Sequence, residues 1–304
     1  ICISSGYTRN IRMETVNMSE RNKGILYILM AAFFFALMSL FVKLSGDLPS
    51  MQKAFFRNIV ALFFAGGILW KNHIPLTVPK GAKRYLFLRA FCGTVGLICN
   101  FYAIDHLHIA DANMLNKMSP FFAIIVSFFL LKEKVAPYQA VCVITAFVGV
   151  LFILRPGFDS MVTFPALIGL LGGIGAGTAY AMVRVLGGHG VQGPVIVFVF
   201  SLFSTLVTLP WLILDFTPMT WTQLLFLLLA GFAASGGQFS ITAAYTHAPA
   251  KDISIFDYMQ IVFSSLMGIL VLGEVPVLLS IIGYIIIIGS SLAMFFIRRK
   301  KEPQ

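Results

Sequence analysis

The stretch FYAIDHLHIADANMLNKMSPFFAIIVSFFLLKEK, Phe101 to Lys134, places Asn116, Lys117 and Pro120 inside an otherwise apolar span. A lysine in such a run needs a partner or a function, because an unpaired charge at that depth is expensive. Proline has no N–H, and its ring collides with the carbonyl four residues back. Pro120 is therefore expected to free the carbonyl of Asn116 and act as a hinge beside Lys117. A bent helix, a loose carbonyl and a buried cation describe a polar site at membrane depth.

The rest of the chain supplies the membrane. With 59% apolar residues, 11% charged residues and a mean hydropathy of +0.90 over 304 residues, the chain has more apolar surface than a water-soluble core can hide. Ten apolar windows recur at about 20 residues each, the length that crosses a bilayer, from Gly24 to Ile297. Alternating ten-residue strand patterns are absent, which argues against a barrel. The net charge of +10 would suggest nucleic acid in a soluble protein, but here the cations sit mainly in short loops and tails, so no nucleic-acid partner is expected. Cys2, Cys92, Cys99 and Cys142 show no metal spacing, and neither redox chemistry nor a metal site is expected.

Residues 1–23 read as a polar cytoplasmic tail carrying Arg9, Arg12, Arg21 and Lys23, with no apolar core of a signal peptide. The isoleucine at position 1 hints that translation starts at Met13 or Met18. Helices are expected at about 24–45, 50–70, 82–104, 110–131, 136–155, 165–187, 194–214, 221–246, 251–273 and 276–297, with a basic tail at 298–304. If both termini are cytoplasmic, the inside segments also hold Lys71, Lys80, Lys83, Arg84, Lys132, Lys134, Lys251 and Arg298 to Lys301, while the outside loops hold little beyond Arg155, with Lys43 and Lys53 at helix ends. That bias places a multi-pass protein in the plasma (inner) membrane with both ends inside.

RPGFDSMVTFP, Arg155 to Pro165, is the clearest break near the midpoint and divides the chain into 24–156 and 157–297. Sliding the second part against the first by 141 residues pairs Lys43 with Arg184, Ala103 with Ala244, His106 with His247, Asp111 with Asp252 and Glu133 with Glu274. In so apolar a chain, polar coincidences are few, which favours an internal repeat. Five spans per copy force opposite orientations. The expected fold class is an all-α membrane protein with ten transmembrane helices in two inverted five-helix repeats, the substrate site lying where they meet. The same offset sets Asn116 and Lys117 against Asp257 and Tyr258. Helical rise puts Lys117 and Asp257 each ~10 Å below opposite surfaces of a core ~30 Å thick.

Several motifs recur in one order. They are Pro49 with FFRN (Phe55 to Asn58), FYAIDHLHIADANMLNKMSP closing with LLKEK, and AAYTHAPAKDISIFDYMQ (Ala243 to Gln260) closing with VLGE at Glu274. In these motifs the chain, over essentially all of residues 20–298, resembles the drug/metabolite transporter superfamily and specifically its ten-helix EamA-type members. The resemblance implies a 5+5 inverted repeat and an alternating-access carrier, usually an exporter of small metabolites, with a central cavity lined by helices 1, 3, 4, 6, 8 and 9.

Asp257 alone among 12 acidic residues falls well inside an expected span. It is the candidate for ion coupling or substrate contact, or else a static partner that neutralises Lys117. Lys117 is the candidate cation for an anionic group. Arg57, too deep to snorkel, is either a carboxylate ligand or a staple between helices, whereas Arg89 and Arg184 lie close enough to the cytoplasmic side to reach headgroups. Asn100, Asn116, Tyr102, Tyr180, Gln238 and Tyr258 bring hydrogen-bonding groups into spans, where each either lines the cavity or packs helices. Gly169, Gly173 and Gly177 recur every four residues, a close-packing face rather than a nucleotide loop, since no strand precedes them.

The expected partners are a small-molecule substrate and membrane lipid, with protons or a counter-substrate left open. No cofactor is expected. Arg57 and Lys117 against Asp257 leave one excess positive charge, which favours an anionic or zwitterionic metabolite such as an organic acid or amino acid. The competing carrier reading is a proton-coupled exporter of hydrophobic or cationic compounds centred on Asp257. An intramembrane enzyme would need a nucleophile and base, or a metal cluster, at depth, and the spans offer neither. A lipid-binding assembly subunit would lack an aqueous cavity.

Overall fold

Eleven α-helices, and no strand, are found among the described residues of the computed structural model, which are 4–130, 136–154, 160–247 and 254–301. They are α1 (Ser4–Leu44), α2 (Ser50–Lys71), α3 (Lys83–His106), α4 (Ile109–Asn116), α5 (Ser119–Leu130), α6 (Pro137–Leu154), α7 (Ser160–Gly188), α8 (Gly193–Leu214), α9 (Trp221–His247), α10 (Met259–Met267) and α11 (Leu278–Lys301). A 3-10 turn, Ser254–Tyr258, leads into α10, and a π turn, Gly268–Leu272, follows it.

Two expectations about these elements change. Helical backbone begins at Ser4, well before residue 24, although the apolar span of α1 is Asn22–Leu44. The helix expected at 110–131 is two helices. Lys117 and Met118 form a turn between them, and Pro120 occupies the first turn of α5, where its missing N–H costs nothing. The expected bend is thus a full interruption one turn earlier. By length and composition, seven helices among the described residues suffice to cross a membrane, with Pro137–Ile153 and Phe256–Leu272 as shorter apolar helices.

Helices in lipid are not driven together by a hydrophobic effect, so close packing at small residues must do that work. The most extensive packings pair α1 with α9 and α3 with α7, followed by α2 with α8 and α6 with α11. Glycine makes each of the first two possible. A Cβ at Gly237 would come 2.7 Å from the Phe35 ring, and one at Gly96 would come 2.9 Å from the Ala176 backbone. The glycine face of α7 lies against the interrupted helix: a Cβ at Gly173 would sit 2.6 Å from the Leu115 carbonyl, and one at Gly177 would sit 2.7 Å from Phe122 Cβ. Close packing is therefore what presses α7 onto the turn that carries Lys117.

The main core runs through Ile104, Ile109, Leu115, Met118 and Phe121, all fully buried. A second apolar cluster, with Leu69, Leu86, Leu186 and Ile196, closes the end of the bundle where α2 passes to α3 and α7 to α8.

Candidate functional site

The turn that ends α4 presents Lys117 to the turn that starts α10. Lys117 Nζ donates to Asp257 Oδ2 at 2.6 Å, and its side chain is 8% exposed against 17% for the carboxylate. The neighbouring Tyr258 hydroxyl donates to the Lys117 carbonyl at 3.2 Å and also pairs with the Ser291 hydroxyl of α11. That carbonyl lies in the helix interruption, so the break supplies both the cation and an acceptor for the facing element. Asp257 Oδ1 is buried and has no hydrogen-bond partner. The structure therefore joins Lys117 to the one acidic residue expected well inside a span.

Beside Lys117 lies a cavity of about 90 Å³ whose lining includes neither Asp257 nor Tyr258. Six of the expected residues line it: Arg57, Asn100, Asn116, Lys117, Tyr180 and Gln238. Tyr102 is not brought there. Its ring stacks on His106 at 4.1 Å and meets Phe164 edge-on, so it belongs to an aromatic cluster at the end of α3. Pro120 has its backbone placed at the start of α5, and its side chain lies outside the described residues.

Four residues of the site escaped the sequence reading. Asn113 of α4 accepts from Ser39 of α1 at 3.0 Å and from Gln260 of α10 at 3.1 Å, tying three elements together. The fourth is Arg89. Its position near the end of α3 suggests a side chain reaching for headgroups, yet it is only 6% exposed, lines the cavity and lies over the Phe200 ring at 4.4 Å. Arg57, 3% exposed, reaches the same ring at 5.8 Å. One Arg57 nitrogen donates to Asn58 Oδ1 at 2.7 Å, while the Nε of both arginines is buried without a partner. Among the described residues, neither guanidinium has a carboxylate within ion-pair distance. Residue 93 has to be small for this arrangement, because a Cβ there would collide with Arg89 Nη1 and come 3.0 Å from Phe200.

A second charged cluster sits where α1 ends and α2 begins. Lys43 Nζ pairs with Glu274 Oε1 at 3.1 Å and donates to the carbonyls of Ile104 at 2.8 Å and Leu107 at 2.6 Å. Glu274 Oε2 accepts from the Ile109 N–H at 2.9 Å, capping α4. Lys53, fully buried, pairs with Asp105, and the Tyr284 hydroxyl donates to Asp111 at 2.6 Å. These contacts lace the ends of α1 and α3 to the starts of α2 and α4 and to the segment after α10. Glu133, Asp252 and Lys251, matched to this cluster or its surroundings by the 141-residue offset or the charge pattern, lie outside the described residues, as does the side chain of Arg184.

Comparison with known proteins gives a consistent family. The EamA-like transporter family profile matches the chain twice, at residues 22–155 and 163–296. The pseudopaline exporter CntI of Pseudomonas aeruginosa is 32% identical over 275 residues, covering 89% of this chain and 95% of that protein. Human solute carrier family 35 member G1 is 28% identical over 282 residues, covering 88% of this chain and 77% of that protein. A protein of known crystal structure, 16% identical, superposes with a TM-score of 0.66 over 92% of this chain and 99% of that one.

Proposed function

We propose, from the premise that the chain belongs to the EamA-like transporter family, that it is a secondary transporter. In this reading it exports a small anionic or zwitterionic metabolite across the plasma membrane by alternating access. That the protein is a multi-pass membrane transporter follows from the family and from the apolar helices; cargo and mechanism are the reading made here. The observation that carries it is the Lys117–Asp257 pair, which bridges interruptions in two separate helices beside a polar cavity. Helix interruptions at membrane depth are tolerated where they are buried in protein or line a wet cavity, and such sites hold substrate in secondary transporters.

An inverted 5+5 architecture supports alternating access. The two matches to the family profile begin 141 residues apart, the offset that pairs Lys117 with Tyr258. The turn at Lys117 and Met118 and the change from 3-10 to α-helix at Tyr258 and Met259 occur at offset-related positions. Packing of α1 on α9 has its counterpart in packing of α7 on α3. Joining α4 to α5, and counting α6 and Phe256–Leu272 as crossings, completes ten. The concentration of cations at one set of loops supports a cytoplasmic side for both termini. In that orientation the Lys43–Glu274 and Lys53–Asp105 pairs close the outer face.

Export is favoured by the relative whose name states it, the pseudopaline exporter. Lys117→Ala in proteoliposomes tests the reading: transport of accepted anions should fall steeply, and unchanged transport of every one would refute the assigned role. A second reading, a proton-coupled exporter of hydrophobic or cationic compounds, draws on the unpartnered Asp257 Oδ1. Asp257→Asn should then abolish proton movement tied to transport while Lys117→Ala spares it.

A further inference from the structure

We infer that Arg57, Arg89 and Phe200 form a second anion subsite in the central cavity, and that the cargo therefore carries two negative groups. This rests on the carrier reading above and narrows its substrate class. Sequence positions alone give two deep cations against one carboxylate; burial of Arg89 makes it three. Among the described residues, the cavity lining holds Arg57, Arg89 and Lys117 and no carboxylate, while Asp257, outside the lining, pairs with Lys117 alone, so two positive charges are left in excess.

Excess charge of that size at low dielectric is costly without a counter-charge. Helix-stapling arginines would have acidic or carbonyl partners, as Lys43 and Lys53 do in this same protein. Arg57 and Arg89 have instead an aromatic face and unpartnered Nε atoms, with one Arg57 nitrogen held by the amide oxygen of the adjacent Asn58. A guanidinium over an aromatic ring keeps its in-plane N–H fork free, and that fork matches an oxyanion with two parallel hydrogen bonds. Gly93 leaves the space in which Arg89 folds onto the ring, a reason to tolerate glycine inside a helix. The ligand group is an oxyanion, either carboxylate or phosphate. A second negative group on the same molecule then faces Lys117, competing with Asp257.

The test titrates three small probes against the purified full-length protein and reads the concentration for half-maximal thermal stabilisation. The probes are butyrate with one charge, succinate with two carboxylates, and glycerol 3-phosphate. Wild type should respond to succinate or glycerol 3-phosphate at a concentration ~10- to 100-fold below that for butyrate, the worth of a charge-assisted pair. Preference for succinate names a carboxylate, and preference for glycerol 3-phosphate names a phosphate. Arg89→Gln and Arg57→Gln should each erase the preference while leaving the butyrate response in place. If these variants do not fold, Arg89→Lys keeps the charge but loses the fork, and should cut the preference by about tenfold. Butyrate binding equal to that of both dianions, or a preference that survives substitution of either arginine, overturns the inference and leaves the carrier reading standing. Failure of all three probes to bind overturns both.

Discussion

At the α1–α2 end of the bundle, fully buried Lys53 has Asp105, and Lys43 has Glu274 together with carbonyls of the α3–α4 connection. Lining the central cavity, Arg57 and Arg89 have no carboxylate among the described residues and Lys117 has Asp257 just outside the lining, and three polar atoms there, Arg57 Nε, Arg89 Nε and Asn100 Oδ1, have no partner. The same helices carry both clusters. Where the chain needs only to hold its helices, it completes its own electrostatics. In the cavity, the two guanidinium groups have no carboxylate of the chain within ion-pair distance among the described residues. Buried unsatisfied groups cost stability, so two unpartnered arginine nitrogens on one cavity wall are the feature that the proposed substrate role accounts for.

If the comparison holds, the two clusters should respond to mutation in different currencies. The largest effect is expected from Asp105→Ala, which strands the Lys53 ammonium at zero exposure; ~3–5 kcal/mol of stability should be lost. A melting curve in detergent would show it, and a melting point within a degree of wild type would mean that the pair is not structural. Next, Lys117→Ala should lower the transport rate ~30- to 100-fold, worth about 2–3 kcal/mol. Its melting point should change little, because partly exposed Asp257 can take up water. A large stability loss with transport intact would turn this pair into a second staple and erase the contrast.

Gly177→Ala sharpens the comparison at the seam between the regions. A Cβ there meets Phe122 at 2.7 Å, and overpacking should cost ~1–3 kcal/mol, read as a lower midpoint of chemical or thermal unfolding. The smallest effect is expected from Glu274→Gln. Its pair with Lys43 is 20% and 15% exposed, so the loss is ~0.5–1 kcal/mol after solvent screening. That should still shift the balance toward an outward-open state by about threefold. Labelling of Ala179→Cys, in a background without native cysteines, by a membrane-impermeant thiol reagent would report the shift; slower labelling than in the parent would reverse the assignment of that end as the outer closure.

Much of this was legible from residue order. Lys117 and Asp257 are conspicuous because charges inside apolar windows are rare, and pairing is the cheapest way to keep them. A site beside an interrupted helix was legible too, since Pro120 cannot accept a place in a helix interior, although the chain breaks one turn sooner and uses the proline to restart. Arg89 was misplaced, and Tyr102 was left open between cavity and packing, for a shared reason. Distance from a helix end estimates depth, but not the direction in which a side chain leaves the axis. Tyr102 and Asn100 sit on one helix two residues apart, and only Asn100 reaches the cavity.

Composition and spacing alone determined that this chain is a membrane protein, where its apolar windows lie, and which lysine and aspartate stand out inside them. Tertiary structure decided the rotation of each helix, and with it that Arg89 joins Arg57 at Phe200 while Tyr102 turns away. The physical reason is the solvent. Water sorts the faces of a soluble helix and writes that choice into an amphipathic pattern. Lipid is as apolar as the core, so a spanning helix is greasy on every side, and only close packing at positions such as Gly93, Gly96 and Gly177 selects which face turns inward.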